Sequence, residues 1–239
     1  MTMNHVIECT LTVLGRLLYA SRELGHLVDT GDYILNSALY YALGFSRGNY
    51  VNIGNKPDYL IETDGIYDKL YITPAAPLGA LTHTTTTYNA RPDQYAVINY
   101  KAKDDPNAKY NIPRYGRERP INPQNRFRFY ILPYQTDTDV ERLAFKLPTY
   151  VRLGKKRSKS RIEYTVVDSV VSSGVFTANH PFGVYDYEGI PIGNLISRKM
   201  RPTPLILQGM YDGNYVKIGE TILPYKLEFL KRLRLSDAG

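Results

Sequence analysis

VIECTLTV (6–13), LGRLLYASRELGHL (14–27) and DTGDYILNSALYYALGF (29–45) are the stretches on which the fold turns. In the first, apolar and polar residues alternate and β-branched side chains cluster, which predicts a strand. The second continues as strand and then loop or short helix. In the third, Asp29, Thr30 and Asp32 offer N-cap oxygens, Ile34, Leu35, Ala38, Leu39, Ala42 and Leu43 recur at helical spacing, and Gly44 can close the helix. Strands are predicted to follow at 59–62 and 70–74.

From about residue 79 to residue 124 the character changes to a polar, Pro-bearing, Tyr/Arg-rich stretch in which only YAVINY (95–100) resembles a strand. So long a poorly apolar stretch inside a compact domain reads as a functional protrusion. RFRFYILP (126–133) then resumes as a strand with Phe127 and Phe129 on one face and Arg126, Arg128 and Tyr130 on the other. DTDVERLAFKL (137–147) predicts a second helix, capped by Asp137 or Thr138, with Val140, Leu143, Ala144 and Leu147 on one side. Strands dominate after it, at 150–153, 162–171, 204–210 and 215–223, the last two joined by YDGN, a hairpin signal. This order suits an α+β fold with a ferredoxin-like (RRM-like) core over 1–140, an inserted thumb at about 79–124, and a second β-rich half over 141–239. With no internal repeat and no flexible linker, the boundary near 140 is soft and the whole can be one domain.

Cys9 is the single cysteine of 239 residues, so the chain has no disulfide framework and no Cys-based zinc site. No stretch approaches the ~20 apolar residues of a membrane helix, and MTMNHVIECTLTVLG lacks the basic start of a secretion signal. A soluble, cytoplasmic protein with no membrane contact is expected. The formal charge is +7, and it is unevenly spread. Between Lys101 and Arg161 stand 16 Lys/Arg against 6 Asp/Glu, whereas the rest of the chain has 14 against 17. A polyanionic partner is implied, contacted by this quarter of the chain.

Two basic clusters carry that excess. RLGKKRSKSR (152–161) sets Lys155, Lys156, Arg157 and Lys159 around Gly154, where backbone N–H groups freed by the glycine turn would join them in holding phosphates. A solvated basic loop or a protein-contact patch is the alternative. KYNIPRYGRERP (109–120) interleaves Tyr110 and Tyr115 with Arg114, Arg117 and Arg119, pairing arginine forks for phosphate with aromatic faces for splayed bases, as single-stranded RNA demands. Arg126 and Arg128 extend the basic surface. The 22 tyrosines fit the same chemistry, although many must be half-buried sheet residues. For catalysis the support is weaker: His5, His26, His83 and His180 are scattered, and no HExxH, Walker or nucleophile motif occurs. A metal-independent RNA-cutting site needs only a histidine or tyrosine and a lysine beside one 2′-hydroxyl, and the sequence leaves that open.

ASRELGHLVDTGDYILNSALYYALGF (20–45) resembles the N-terminal signature of a CRISPR-associated family in the RAMP superfamily, the Cas-five-type subunits of type I-D Cascade. RLGKKRSKSRIEY (152–164) and FTANHP (176–181) are similar to two later blocks of that family. Departures are Lys156 and Arg157, where the family tends to have aromatic residues or Met, and FGVYDYEG after TANHP. The resemblance implies a RAMP core with a thumb, a grip on the 5′ handle of the guide RNA (crRNA), and contacts with the backbone RAMP subunit and the large subunit. It also implies proximity to target DNA near the protospacer-adjacent motif, with guide pairing supplying target specificity. Guide processing falls to a separate nuclease in this subtype, so a non-catalytic subunit without cofactor or metal is implied. It further adds Arg22, from the SRELG unit, with Tyr40 or Tyr41 on the following helix, as RNA contacts; an Arg22 ion pair with Glu23 or Asp29 is the alternative. Two rivals stand beside this reading: an endoribonuclease that cleaves repeat RNA, as a relative does in another subtype, and a scaffold that binds proteins through its basic face.

Overall fold

The computed structural model describes residues 2–19, 21–24, 27–47, 58–89, 115–135 and 138–237. Along them run β1 (Thr2–Val13), β2 (Arg22–Leu24), β3 (Leu27–Asp29), α1 (Asn36–Ala42), α2 (Tyr59–Glu62), β4 (Leu70–Ile72), β5 (Ala76–Pro77), β6 (Thr86–Asn89), β7 (Tyr115–Arg119) and β8 (Arg126–Pro133). Then come α3 (Val140–Lys146), β9 (Tyr150–Leu153), β10 (Ser158–Ala178), β11 (Phe182–Gly183), β12 (Leu195–Arg198), β13 (Leu205–Ile218), β14 (Thr221–Pro224) and α4 (Lys231–Asp237). The fold is mixed α/β, mostly strand with few helices, and no described helix is long and apolar enough to cross a membrane.

Ten strands share one sheet, with the path β11-β13-β10-β1-β8-β4; β12 and β14 join β13, β5 joins β8 and β9 joins β10. The other four form a small sheet, β2-β3-β7-β6. β1 is the inner strand of the large sheet, antiparallel to β10 along its whole length and to β8 over residues 7–12. Its alternation decides the two faces. Ile7, Cys9, Leu11 and Val13 are fully buried with Phe127, Phe129 and Ile131 of β8, under Leu39 of α1 and Leu143 of α3. On the opposite face Val6, Tyr130 and Leu132 are covered by Val216, Leu223 and Leu227 of the C-terminal part. Past Tyr130 that face is open.

A buried carboxylate ties the C-terminal part to the sheet. Asp186 accepts from Asn36 Nδ2 of α1 (2.8 Å), from the Tyr71 hydroxyl of β4 (2.6 Å), and from the N–H groups of Gly183 (3.1 Å) and Leu230 (2.9 Å). Burial pushes its carboxyl above the ordinary range, against the pull of those four donors. Close by in sequence, His180 is buried, with Nε2 2.9 Å from Thr73 Oγ1 and its ring edge-on to Tyr130. Burial, and then the nearby Arg128 cation, holds the imidazole neutral with a pKa of about 3.

Several expectations are corrected. α1 starts only at Asn36, because Ile34 is drawn into backbone pairing with Ala75 (3.1 and 2.8 Å) and leaves Leu35 extended at the N-cap with no side-chain bond. Asp29 lies in β3, and Asp32 pairs with Arg198 (3.2 Å). Gly44 does close the turn after the helix, at φ +81°. Residues 59–62 are helix, not strand: Asp58 accepts from the N–H groups of Leu60 (3.1 Å) and Ile61 (3.2 Å), a cap that nucleates α2. α3 is capped by Asp139 rather than Asp137 or Thr138. YDGN makes no turn, because β13 runs straight through it: Tyr211 pairs with Phe176 and Gly213 with Gly174 of β10, and Phe176 stacks on Tyr211 and Tyr215. The turn falls at Gly219, φ +56°. The polar stretch from 79 to 124 is strand at both flanks, β6 pairing β7 and β7 pairing β3; YAVINY lies outside the described residues.

Asp186→Ala leaves the Tyr71 hydroxyl and the Gly183 and Leu230 N–H groups without this acceptor, Asn36 Nδ2 keeping only the Tyr71 oxygen at 3.3 Å, and should destabilise the fold by about 3 kcal/mol or more, read in chemical denaturation. The neutral His180 has a pH signature of known sign. The unfolded chain takes up its proton near pH 6.5 and the folded chain only near 3, so stability is full above pH 6.5 and lost as pH falls toward 3. Between pH 6.5 and 5 the loss from this residue should be about 2 kcal/mol, at about 1.4 per unit, and His180→Gln should remove that slope.

Candidate nucleic-acid interface

The tip of the β9–β10 hairpin is a four-residue turn, Gly154 to Arg157, with left-handed φ at Gly154 (+73°) and Arg157 (+51°). Glycine is required at 154 on two counts: the φ, and a backbone contact so close that a Cβ would lie 2.4 Å from the Leu18 carbonyl oxygen. That approach lets the Lys155 N–H donate to Leu18 O (2.7 Å), while the Arg157 N–H donates to Gly154 O (3.1 Å) and Arg152 Nη1 to Arg157 O (3.2 Å). The expectation of freed amides is therefore wrong at Lys155 and Arg157, whose N–H groups knit the turn to itself and to the β1–β2 connection. The side chains of Lys155, Lys156, Arg157 and Lys159 are all exposed.

The second stretch meets the first through its one carboxylate. Lys156 pairs with Glu118 of β7, a residue flanked by Arg117 and Arg119. Alternation along β7 sends Glu118 to one face and Arg117 and Arg119 to the other. Arg117 is exposed, and Arg119 pairs with Asp29 of β3 at 3.0 Å with 43% of its side chain still exposed. Arg16, beside the same hairpin in the β1–β2 connection, reaches Thr86 Oγ1 of β6 at 3.4 Å. The carboxylates of these pairs are largely buried and offset part of the cations' charge, while the cation side chains stay about half exposed (58% for Lys156, 43% for Arg119).

Arg126 and Arg128 stand on the open face of the large sheet, Arg126 exposed and Arg128 half-buried with its guanidinium 5.9 Å from the Tyr130 ring centroid. Tyr130 itself is buried. Register adds residues that the motif reading left out of its site. Thr12 is paired with Arg126 on one side and Arg161 on the other, and Arg161 is paired with Tyr150; Lys159 is paired with Arg152. All share one face. The signal was present in the alternation of YVRL and SKSR, the same period of two that revealed the faces of RFRFYILP.

Tyr40 is the clear correction. It is completely buried, stacked on Phe229 at 4.8 Å, its hydroxyl donating to Leu70 O and accepting from the Ile72 N–H, both at 3.2 Å. A helix face rich in tyrosine turned out to be core because α1 lies flat on the sheet. Tyr41 is half-buried, edge-on to Tyr59, with its hydroxyl bonded to Glu62, which ties α1 to α2. Arg22 starts β2 opposite Asp29, whose carboxylate is bound by Arg119; the Arg22 side chain and that of Tyr115 lie outside the described residues, as do Tyr110 and Arg114.

Among the described residues the histidines do not gather. His5 faces Asp168 at 3.0 Å on the outer end of β1, His180 is core, and His83, which bridges to Ile121 just beyond β7, has its Nε2 buried without a hydrogen-bond partner and its pKa lowered by burial. His26 lies outside the described residues. Among the described residues no three of His, Cys, Asp and Glu are grouped to hold a metal ion.

Gly154→Ala should cost about 2 kcal/mol or more from the left-handed strain and the clash with Leu18 O, and should release the hairpin tip, seen as faster amide exchange at Lys155 with little change in β1.

Compared with known proteins, residues 4–232 match the family described as Type I-D CRISPR-associated protein Cas5/Csc1. No curated protein matches the chain. Among solved structures it is similar to a CRISPR protein from Archaeoglobus fulgidus, at 11% identity over 92% of this chain and 98% of that one, TM-score 0.43. It is also similar to a chain of the type III-B Cmr-beta complex bound to cognate target RNA and AMPPnP, at 11% identity over 86% of both chains, TM-score 0.48. A further structure of Cmr-beta bound to cognate target RNA gives 10% identity, 86% of both chains and a TM-score of 0.46.

Proposed function

Because this chain belongs to the type I-D CRISPR-associated Cas5/Csc1 family, we propose that it is a non-catalytic subunit of the type I-D Cascade effector complex that binds the 5′ handle of the guide RNA. The observation that carries the reading is the docking of the Gly154 hairpin on the Glu118 face of β7, beside Arg16, which fixes the basic tip in place with its lysine and arginine side chains at the surface. Lys155, Lys156 and Arg157 at the tip hold phosphates there as charge-assisted contacts, while Arg117 and Arg119 stand on the other face of β7. Sequence in the target is read by guide pairing, so a positioning surface of this kind suffices. The backbone RAMP subunit and the large subunit are its protein partners, near target DNA at the protospacer-adjacent motif.

We read β1-α1-β4-β8-α3-β10 as a ferredoxin-like core. Support comes from the βαββαβ order of these elements and their path β4-β8-β1-β10, antiparallel at every step. The non-catalytic reading is supported by the histidines: His180 is buried and neutral, His83 has its Nε2 buried, and His5 stands eight residues along β1 from Val13, ~27 Å from the hairpin end.

In the assembled complex, replacing Lys155, Lys156 and Arg157 by alanine should flatten the slope of log affinity for handle RNA against log salt by about 2, at about 0.7 per phosphate for a single strand. An unchanged slope would remove the hairpin from the site. Labelled repeat RNA incubated without metal should stay intact, and a single discrete cut would replace this reading by the endoribonuclease.

A further inference from the structure

The open face of the large sheet is separate from the hairpin tip, and the handle-binding surface leaves it unused. Its composition follows from register. Arg126 of β8, Thr12 of β1, Arg161 of β10 and Tyr150 of β9 stand in one row across four strands, which at about 4.8 Å per strand is a path of ~14 Å. Arg128 and Lys159 flank the row on the same face. Two carboxylates share it: Glu163, which pairs with Arg161 at 3.0 Å, and the half-buried Glu8 beside Tyr130. The cations still outnumber them, and every member of the row reaches solvent.

Tyr150 adds a second chemistry. The residue is 53% exposed, and the Lys159 ammonium rests 4.2 Å from its ring centroid, holding the ring from one side. Nothing apolar on this face competes for an occupant, because Phe127 and Phe129 point to the opposite side. A flat row of arginines with hydroxyls between them and an aromatic plate at its end suits a single strand whose bases can splay. A duplex would present phosphates without a base for the plate.

We propose that this sheet face is a second track for single-stranded RNA, running across the strands from Arg126 to Tyr150, with Arg126 and Arg161 on phosphates and Tyr150 stacked on a base. It rests on the RNA-binding reading: the strand held at the tip continues over the sheet. The face takes the RNA immediately beyond the part gripped by Lys155 and Lys156.

The test uses the full chain with a short mixed-sequence single-stranded RNA carrying a photoreactive uridine, titrated across salt. Arg126→Gln combined with Arg161→Gln should flatten the log–log salt slope by about 1.4, two phosphates at about 0.7 each, with the melting temperature held. Tyr150→Leu should weaken binding about tenfold while Tyr150→Phe keeps it, and crosslinks should map to Tyr150. Lys155→Ala with Lys156→Ala runs in parallel. If that hairpin variant loses affinity while both face variants bind as wild type, the track is overturned and the handle reading stands. A wild-type chain that holds no RNA overturns both. Face variants that lose binding of polyglutamate but keep RNA would make this a protein-docking surface and overturn the track.

Discussion

Strand β1 is paired along both edges, and its register with β8 and β10 is the constraint on which the rest depends. Because side chains alternate, a slip of one residue would exchange Ile7, Cys9 and Leu11 for Glu8, Thr10 and Thr12 at the buried face. The same slip would misalign Arg126, Arg161 and Tyr150. The apolar face therefore does more than stabilise: by holding one register under α1 and α3 it sets the spacing of cations on the other side. Burying the helix-covered face and building the charged face are a single event.

The second constraint is polar. Asp186 collects donors from α1, β4, the β10–β13 connection and the segment before α4, so parts of the chain more than a hundred residues apart share one carboxylate. A buried charge is costly unless its lone pairs are filled, and here four donors fill them. Such a network tolerates few alternatives, which makes the placement of the C-terminal part over Tyr130 and Leu132 specific. That placement in turn decides where the sheet face stops being core and starts being surface.

Chemistry at the hairpin follows from an absence of side chain. Gly154 lets the Leu18 carbonyl reach the Lys155 amide, and this close contact, with the Lys156 to Glu118 pair, lays the tip against the small sheet. The Lys155 and Arg157 amides are spent on holding the turn, and the side chains of the tip stay at the surface. Both basic surfaces thus rely on backbone geometry for the position of their long cationic side chains.

Local patterning was legible in the sequence wherever one face of an element was plainly apolar: β1, the facing of RFRFYILP, α3 and the basic content of RLGKKRSKSR could be read from period and charge alone. The turn at Gly44 was legible too, because a helix end followed by glycine has a local cause. What stayed hidden depended on partners distant in sequence. Ile34 joins Ala75 and shortens α1, YDGN is held extended by β10 against its own turn preference, and Tyr40 is core because α1 lies against β4 and Phe229. The row from Arg126 to Tyr150 likewise exists only once three pairings bring residues 12, 126, 150 and 161 side by side. Composition determined that the chain is basic and where its excess charge lies; long-range strand pairing, whose closure no local propensity encodes, decided which cations stand together.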